Sequence, residues 1–171
     1  MAADNVPDTM WKSTLLEEVG ETLNLCFQCG TCTSSCPSGR MTAFRTRQII
    51  RKAQFGLPEQ ILPSDDLWHC TTCFTCYERC PRGVEIVDII TALRNMAVRV
   101  GFMSDDHKEL VLNMYKTGHL VPLTEKTKKL RTHVDLAAVP HTVIEDEEGL
   151  KQVQFIMEQT RLMRIISREE D

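Results

Sequence analysis

An all-α fold is predicted for this 171-residue chain by three observations. Apolar residues recur at helical spacing, most clearly in Val84–Val100, where Ile86, Ile89, Ile90, Leu93, Ala97 and Val100 fall on one stripe. No segment shows a sustained period-two alternation of the kind a half-buried strand needs. A cysteine run occurs twice, Cys26-x2-Cys29-x2-Cys32-x3-Cys36-Pro37 and Cys70-x2-Cys73-x2-Cys76-x3-Cys80-Pro81, and each copy is followed by a helical stretch. The chain thus reads as a pseudo-repeat of loop, Cys-Pro and helix.

The elements follow in order. Thr14-x-x-Glu17 has the form of a capping box, and Leu15, Leu16, Val19 and Leu23 continue from it at helical spacing into the first cysteine loop. Met41 to Phe55 reads as a second helix with Ile49, Ile50 and Ala53 inward, ended by Gly56 and Pro58. Leu57 to Pro63 is a connector. Ser64 caps a short turn with Leu67 and Trp68 that delivers Cys70. Val84 to Val100 is the clearest helix, stopped by Gly101. Ser104 caps a helix running to Lys116 before Gly118, and Thr124 to Arg131 is a short basic helix. Asp135 to Thr142 is irregular. A last helix is expected from Glu147 to about Arg164, with Glu145, Asp146, Glu147 and Glu148 at its positive N-terminal end. This gives three parts: an N-terminal arm (1–12), a cluster-bearing domain (13–102) and a helical C-terminal extension (103–171) suited to assembly.

The two runs use all eight cysteines. Their spacing is that of [4Fe–4S] cubane ligands. A cubane has four iron corners, each needing a thiolate. Steps of three residues bring three side chains around a small object, and the fourth corner must be met from elsewhere. In two-cluster ferredoxins the fourth cysteine of each run serves the other cluster. The expected ligand sets are Cys26, Cys29, Cys32 and Cys80 for one cluster and Cys70, Cys73, Cys76 and Cys36 for the second. Gly30 can take positive φ beside Cys29. Thr31, Thr33, Ser34, Ser35, Thr71, Thr72 and Thr75 are small enough to let backbone amides reach the sulfurs. Phe27, Phe74 and Tyr77 are expected to screen the clusters from water, and Pro37 and Pro81 suit the turn out of each loop.

Two other readings of the cysteines compete. Disulfides would satisfy the even count, but a disulfide scaffold has no need of the same triplet twice. Structural zinc uses Cys-x2-Cys pairs, yet a third cysteine at the same step followed by x3-Cys-Pro is unusual for it.

Charge and composition narrow the function. Net charge is −4, and bound clusters add more negative charge, so nucleic-acid binding is not expected. No apolar run approaches the roughly 18 residues of a membrane span, and residues 1–8 lack the pattern of a secretory signal. A reducing cytoplasm suits the free thiols. Charge is uneven: no acid occurs from Thr22 to Pro58, while Arg40, Arg45, Arg47, Arg51 and Lys52 do. That stretch reads either as a solvated face offsetting the clusters or as a docking patch for an acidic partner. Catalytic machinery is not apparent. There is no Cys-Cys dipeptide, no Gly-x-Gly-x-x-Gly, and no pair of histidines at ligand spacing among His69, His107, His119, His133 and His141. His69, Trp68, Met96, Met157 and Met163 read as packing residues.

The run Cys26-Phe-Gln-Cys-Gly-Thr-Cys-Thr-Ser-Ser-Cys36-Pro, with Leu67-Trp68-His69-Cys70-Thr-Thr-Cys-Phe-Thr-Cys-Tyr-Glu-Arg-Cys80-Pro-Arg82-Gly83-Val84, resembles the C subunit of the soluble heterodisulfide reductases of methanogenic archaea, in the α-helical ferredoxin superfamily. The likeness covers most of the chain and is weakest after about Asp135. It implies a protein with two [4Fe–4S] clusters that relays electrons from a flavin-bearing A subunit to a B subunit with non-cubane clusters, where the coenzyme M–coenzyme B heterodisulfide is reduced. A hydrogenase or formate dehydrogenase would be an indirect partner. The chain itself would carry no active site. Within the superfamily, iron–sulfur subunits of succinate or fumarate enzymes carry a further plant-type site, and no cysteine precedes Cys26 here. Glycolate or lactate oxidase subunits usually add a Cys-Cys domain that this chain lacks. A zinc-stapled interaction module is the reading from outside redox chemistry.

Overall fold

The computed structural model describes residues 7–160 and 162–166, and every regular element among them is helical. The chain divides into two compact units, residues 1–102 and 103–171. The first unit holds α1 (Thr9–Val19), α2 (Thr31–Ser35), α3 (Pro37–Met41), α4 (Thr46–Gln54), α5 (Thr75–Glu78) and α6 (Ile86–Arg99). Three 3₁₀ turns, Glu21–Leu25, Pro58–Gln60 and Asp65–His69, lie between them. The second unit holds α7 (Asp105–Thr117), α8 (Glu125–His133), α9 (Glu147–Gln159) and α10 (Leu162–Ile166).

Helix α1 starts earlier than the capping-box pattern predicts. Asp8 is its N-cap, its carboxylate accepting from the Trp11 amide at 2.9 Å. Thr14 sits inside the helix instead, donating its hydroxyl to the Met10 carbonyl. Thr9–Lys12, expected in an arm, are therefore the first turn of α1. The N-cap of α1 is fastened to the end of α4, because the Asp8 amide donates to the Gly56 carbonyl at 2.7 Å. Gly56 has φ +65, and a Cβ there would lie 2.6 Å from the Asp8 carbonyl oxygen, so only glycine fits.

The helix expected from Met41 to Phe55 begins only at Thr46; residues 42–45 are not helical, and Met41 instead ends α3. Phe44, 1% exposed, turns into the core at the break, and the Arg45 guanidinium ties the bend by donating to the Gly39, Thr42 and Phe44 carbonyls. Burying an aromatic ring there outweighs continuing the ladder through a segment whose sequence offers no strong stop. Ile49, Ile50 and Ala53 face inward as their spacing requires. On α6 the same is true of Ile86, Ile89, Ile90, Leu93 and Ala97. Val100 departs from that stripe: it is the C-cap and is exposed.

The core of this unit joins α1, α4 and α6 through Leu15, Leu23, Ile50, Leu67, Ile90 and Leu93, each 1% exposed or less. Each such side chain contributes about 1.5–3 kcal/mol by leaving water. Around this core the two cysteine loops are hung by their preceding turns.

In the second unit, α7 and α9 pack together through the Tyr115 hydroxyl, which donates to Glu158 at 2.6 Å, and the Gln154 amide, which donates to the Tyr115 carbonyl. Gly118 closes α7 with φ +71. Thr124 caps α8 by accepting from the Thr127 amide, and Asp146 caps α9 by accepting from the Glu148 and Gly149 amides. The expected final helix is realised as α9 and α10, with residue 161 outside the described residues. Among the described residues no helix is long and apolar enough to cross a membrane.

Candidate functional site

The two cysteine runs fold in the same way, for the same local reasons. Each is preceded by a 3₁₀ turn anchored by one fully buried leucine, Leu23 or Leu67. Each turn ends in an extended cysteine, Cys26 (φ −71, ψ 114) or Cys70 (φ −72, ψ 122). The second residue after that cysteine is left-handed in both copies, Gln28 at φ +65 and Thr72 at φ +50. So is the fourth, Gly30 at φ +87 and Phe74 at φ +60. Alternation of this kind curls the backbone so that amides and cysteine side chains turn to one side. Glycine suits the position beside Cys29. Phe74 occupies the equivalent place at a cost of about 1–2 kcal/mol for a residue with a Cβ, which the surrounding structure must offset.

The third cysteine of each run lies on a one-turn helix, Cys32 on α2 and Cys76 on α5, and these two helices pack against each other. The fourth is extended again in the first run, at Cys36 (φ −70, ψ 118). Cys36 accepts the Gly39 amide on its sulfur at 3.3 Å, and Cys80 accepts the Val84 amide at 3.3 Å. Gln28 Nε2 donates to Cys26 Sγ at 3.4 Å. Amide donors aimed at sulfur stabilise thiolate charge and, with a cluster bound, tune its potential.

The thiols fall into two electrostatic classes. The Thr31 hydroxyl, 3.3 Å from Cys29 Sγ, holds that exposed thiol below its ordinary value, and the Thr75 hydroxyl does the same for Cys73. Burial pushes Cys32 up. Burial, then the neighbouring charges of Cys70 and Cys32, pushes Cys76 up to about 12. A buried thiol of that kind loses its proton readily only when a metal replaces it. All eight cysteines are free rather than paired as disulfides.

The donor set fits [4Fe–4S] ligation: eight free thiols, in two copies of one curled loop, with N–H donors already directed at Cys26, Cys36 and Cys80. Among the described residues no three His, Cys, Asp or Glu side chains converge on a point where one ion would bind. A cubane makes no such demand, because its four thiolates occupy separate corners.

Contacts between the runs lie next to the fourth cysteines. Ser38, two residues beyond Cys36, donates its hydroxyl to the carbonyl of His69, the residue before Cys70. Arg79, just before Cys80, donates to the Ser35 hydroxyl just before Cys36, at 3.2 Å. The exit of each loop is thus fastened beside the other copy.

Sequence reasoning missed the residues that hold the loops from behind. Gln54 on α4 donates Nε2 to the carbonyls of Leu23 and Cys26. Arg94 on α6 donates to the carbonyls of Leu67 and Cys70. Their only trace in sequence is placement, since each is the ninth residue of the long helix that follows its cysteine run. The expected aromatic screen is not closed: Phe27, Phe74 and Tyr77 are 61%, 50% and 39% exposed. Trp68 is half-buried with the Arg94 guanidinium over its ring, and His69 is exposed with its carbonyl bound by Ser38. Arg47 and Arg51 line a shallow depression with Gln28 and Gln48 beside the first loop.

Residues 22–84 match the 4Fe-4S dicluster domain family. Across most of its length the chain is similar to three archaeal proteins. It is 46% identical to the iron–sulfur C subunit of the CoB–CoM heterodisulfide reductase of Methanopyrus kandleri, with 90% of this chain and 83% of that protein covered. It is 49% identical to the C subunit of the H(2):CoB-CoM heterodisulfide,ferredoxin reductase of Methanothermobacter marburgensis, covering 86% and 80%. It is 45% identical to the C subunit of the ferredoxin:CoB-CoM heterodisulfide reductase of Methanosarcina mazei, covering 84% and 88%. With the eight thiols in two runs, the dicluster match gives the cofactor as two [4Fe–4S] clusters.

Proposed function

We infer the role of this chain from its family: it belongs to the iron–sulfur C subunits of CoB–CoM heterodisulfide reductases. We propose that it is the electron-transfer member of such a complex, relaying electrons from a flavin-bearing A subunit to a catalytic B subunit that reduces the coenzyme M–coenzyme B heterodisulfide. A hydrogenase or formate dehydrogenase stands further upstream, and the assembly works in the cytoplasm. The chain contributes no active site of its own.

The observation that carries this reading is the duplicated loop with its donors. When bound, the two clusters supply one-electron redox chemistry without proton or group transfer. We propose Cys26, Cys29, Cys32 and Cys80 as ligands of one and Cys70, Cys73, Cys76 and Cys36 of the other. The Ser38–His69 hydrogen bond supports this exchange by fastening the exit of the first run beside the entry to the second. Gly39, Val84 and Gln28 donate N–H groups to Cys36, Cys80 and Cys26, and Thr31 and Thr75 lie against Cys29 and Cys73. Gln54 and Arg94 hold the loop carbonyls and so fix where the first cysteine of each run points.

The test is anaerobic affinity purification of the tagged chain from its native host. Co-elution with a flavoprotein and a protein bearing Cys-Cys motifs, with about eight iron and eight sulfide per chain for two cubanes, is the expected result. A colourless chain with stoichiometric zinc, or one isolated with a different oxidoreductase, would overturn it.

A further inference from the structure

The two halves hold equivalent loop carbonyls with side chains of different charge. In the first, Gln54 Nε2 lies 3.1 Å from the Leu23 carbonyl oxygen and 2.8 Å from that of Cys26. In the second, Arg94 Nε lies 2.8 Å from the Leu67 carbonyl oxygen and Nη2 2.6 Å from that of Cys70. Leu67 and Cys70 are the counterparts of Leu23 and Cys26, and Gln54 and Arg94 share a position on their helices. One pair of carbonyls is bound by a neutral amide, the other by a permanent cation.

Arg94 is half-buried, with its guanidinium 5.6 Å over the Trp68 ring. Burial lowers its pKa, while the Cys70 thiolate acts against that shift. A guanidinium nonetheless keeps its proton in proteins. Its charge sits where solvent screens weakly, and a cation beside a reducible centre favours the reduced, more negative form. The cations near the first loop differ. Arg47 and Arg51 are exposed, so water and salt screen them. Gln28 donates to Cys26 Sγ and acts in the opposite sense to Arg94 on the difference between the two sites, but a neutral donor is weaker than a charged one.

We propose that Arg94 is a positioning residue that sets the order of the two redox sites, making the Cys70–Cys76 side the higher in potential, so that a single electron entering the chain settles there. The donor loses one electron and the chain gains one; no bond forms or breaks. This rests on the proposed function only in that each cysteine triplet holds a cluster.

The experiment is a potentiometric EPR titration of the full chain with both clusters assembled. Cys73→Ser and Cys29→Ser, each perturbing one signal, identify the two sites. In the unaltered protein the signal perturbed by Cys73→Ser must be reduced first; reduction of the Cys29-linked signal first overturns the proposal. Arg94→Gln, which copies the first half, lowers the midpoint of the Cys73-linked signal by at least roughly 59 mV, a tenfold change in the reduced-to-oxidised ratio of a one-electron couple. The Cys29-linked midpoint stays put. Arg94→Lys retains most of the higher potential because it retains the charge. Equal movement of both signals, or of neither, overturns the proposal. If Arg94→Gln prevents assembly, the order of reduction in the unaltered protein decides alone. Iron content is measured in parallel: a chain with fewer than two cubanes contradicts the proposed function and is read apart from the order of reduction.

Discussion

Ser38 Oγ lies 2.6 Å from the carbonyl oxygen of His69, a hydrogen bond spanning 31 positions of sequence that fastens the stretch after Cys36 to the residue before Cys70. Ser38→Ala removes it at a cost of about 1 kcal/mol. The expected result is faster loss of iron from the Cys70 side on dilution into chelator, followed by absorbance at the cluster bands. Equal retention by the variant and the unaltered protein would show that the bond has no part in holding Cys36 in place.

Cys80→Ala tests the ligand exchange directly. The signal that depends on Cys26, Cys29 and Cys32 should collapse or convert to a three-iron form, while the Cys70-linked signal persists in EPR. Loss confined to the Cys70-linked signal would assign Cys80 to its own run instead.

Leu67→Ala tests the link between core and loop. Leu67 is fully buried and its carbonyl is held by Arg94. Removal of its side chain should cost about 2–5 kcal/mol in denaturant unfolding and weaken iron binding on the Cys70 side first. The equivalent Leu23→Ala should cost a similar amount and act on the Cys26 side. Iron loss that ignores which leucine is truncated would rule out the link.

Thiol reactivity in the cluster-free, reduced chain follows the two electrostatic classes. Cys29 and Cys73, held below the ordinary thiol range by Thr31 and Thr75, should alkylate first as pH rises. Cys76 should alkylate last, since burial keeps its proton until the pH nears about 12. The sign for stability is fixed by the same value. Here the raised group is a thiol, neutral when protonated: a folded-state pKa above the unfolded one contributes no penalty below the unfolded value, and stability is lost as pH climbs from there toward about 12. Mass spectrometry of iodoacetamide-labelled peptides reads the order; early modification of Cys76 would contradict it.

Much of the arrangement was legible in the cysteine spacing and the helical stripe of α6, because both are local patterns with one good physical solution. The left-handed backbone at Gly30 was legible for the same reason. What escaped was tertiary. Nothing in the residues around Thr14 announces that Asp8 caps α1, since both sites carry plausible capping chemistry. The break at Phe44 depends on a core that the sequence does not display. Gln54 and Arg94 were invisible because their partners are backbone carbonyls, which every sequence supplies. Phe27 and Phe74 were expected to cover the site by virtue of being aromatic, but with left-handed turns beside or at them they stand outward.

Among the described residues, the short helix α3 follows the first cysteine run and has no counterpart between Cys80 and α6. The chain is therefore longer there in one half, yet Gln54 and Arg94 still meet equivalent carbonyls. The extra turn is not idle length: Ser38 reaches the His69 carbonyl and the Gly39 amide reaches the Cys36 sulfur, so shortening it would cut both ties between the first run and its surroundings. Inside the triplets the constraint would be tighter still, because a single inserted residue would take one thiol out of step with the other two.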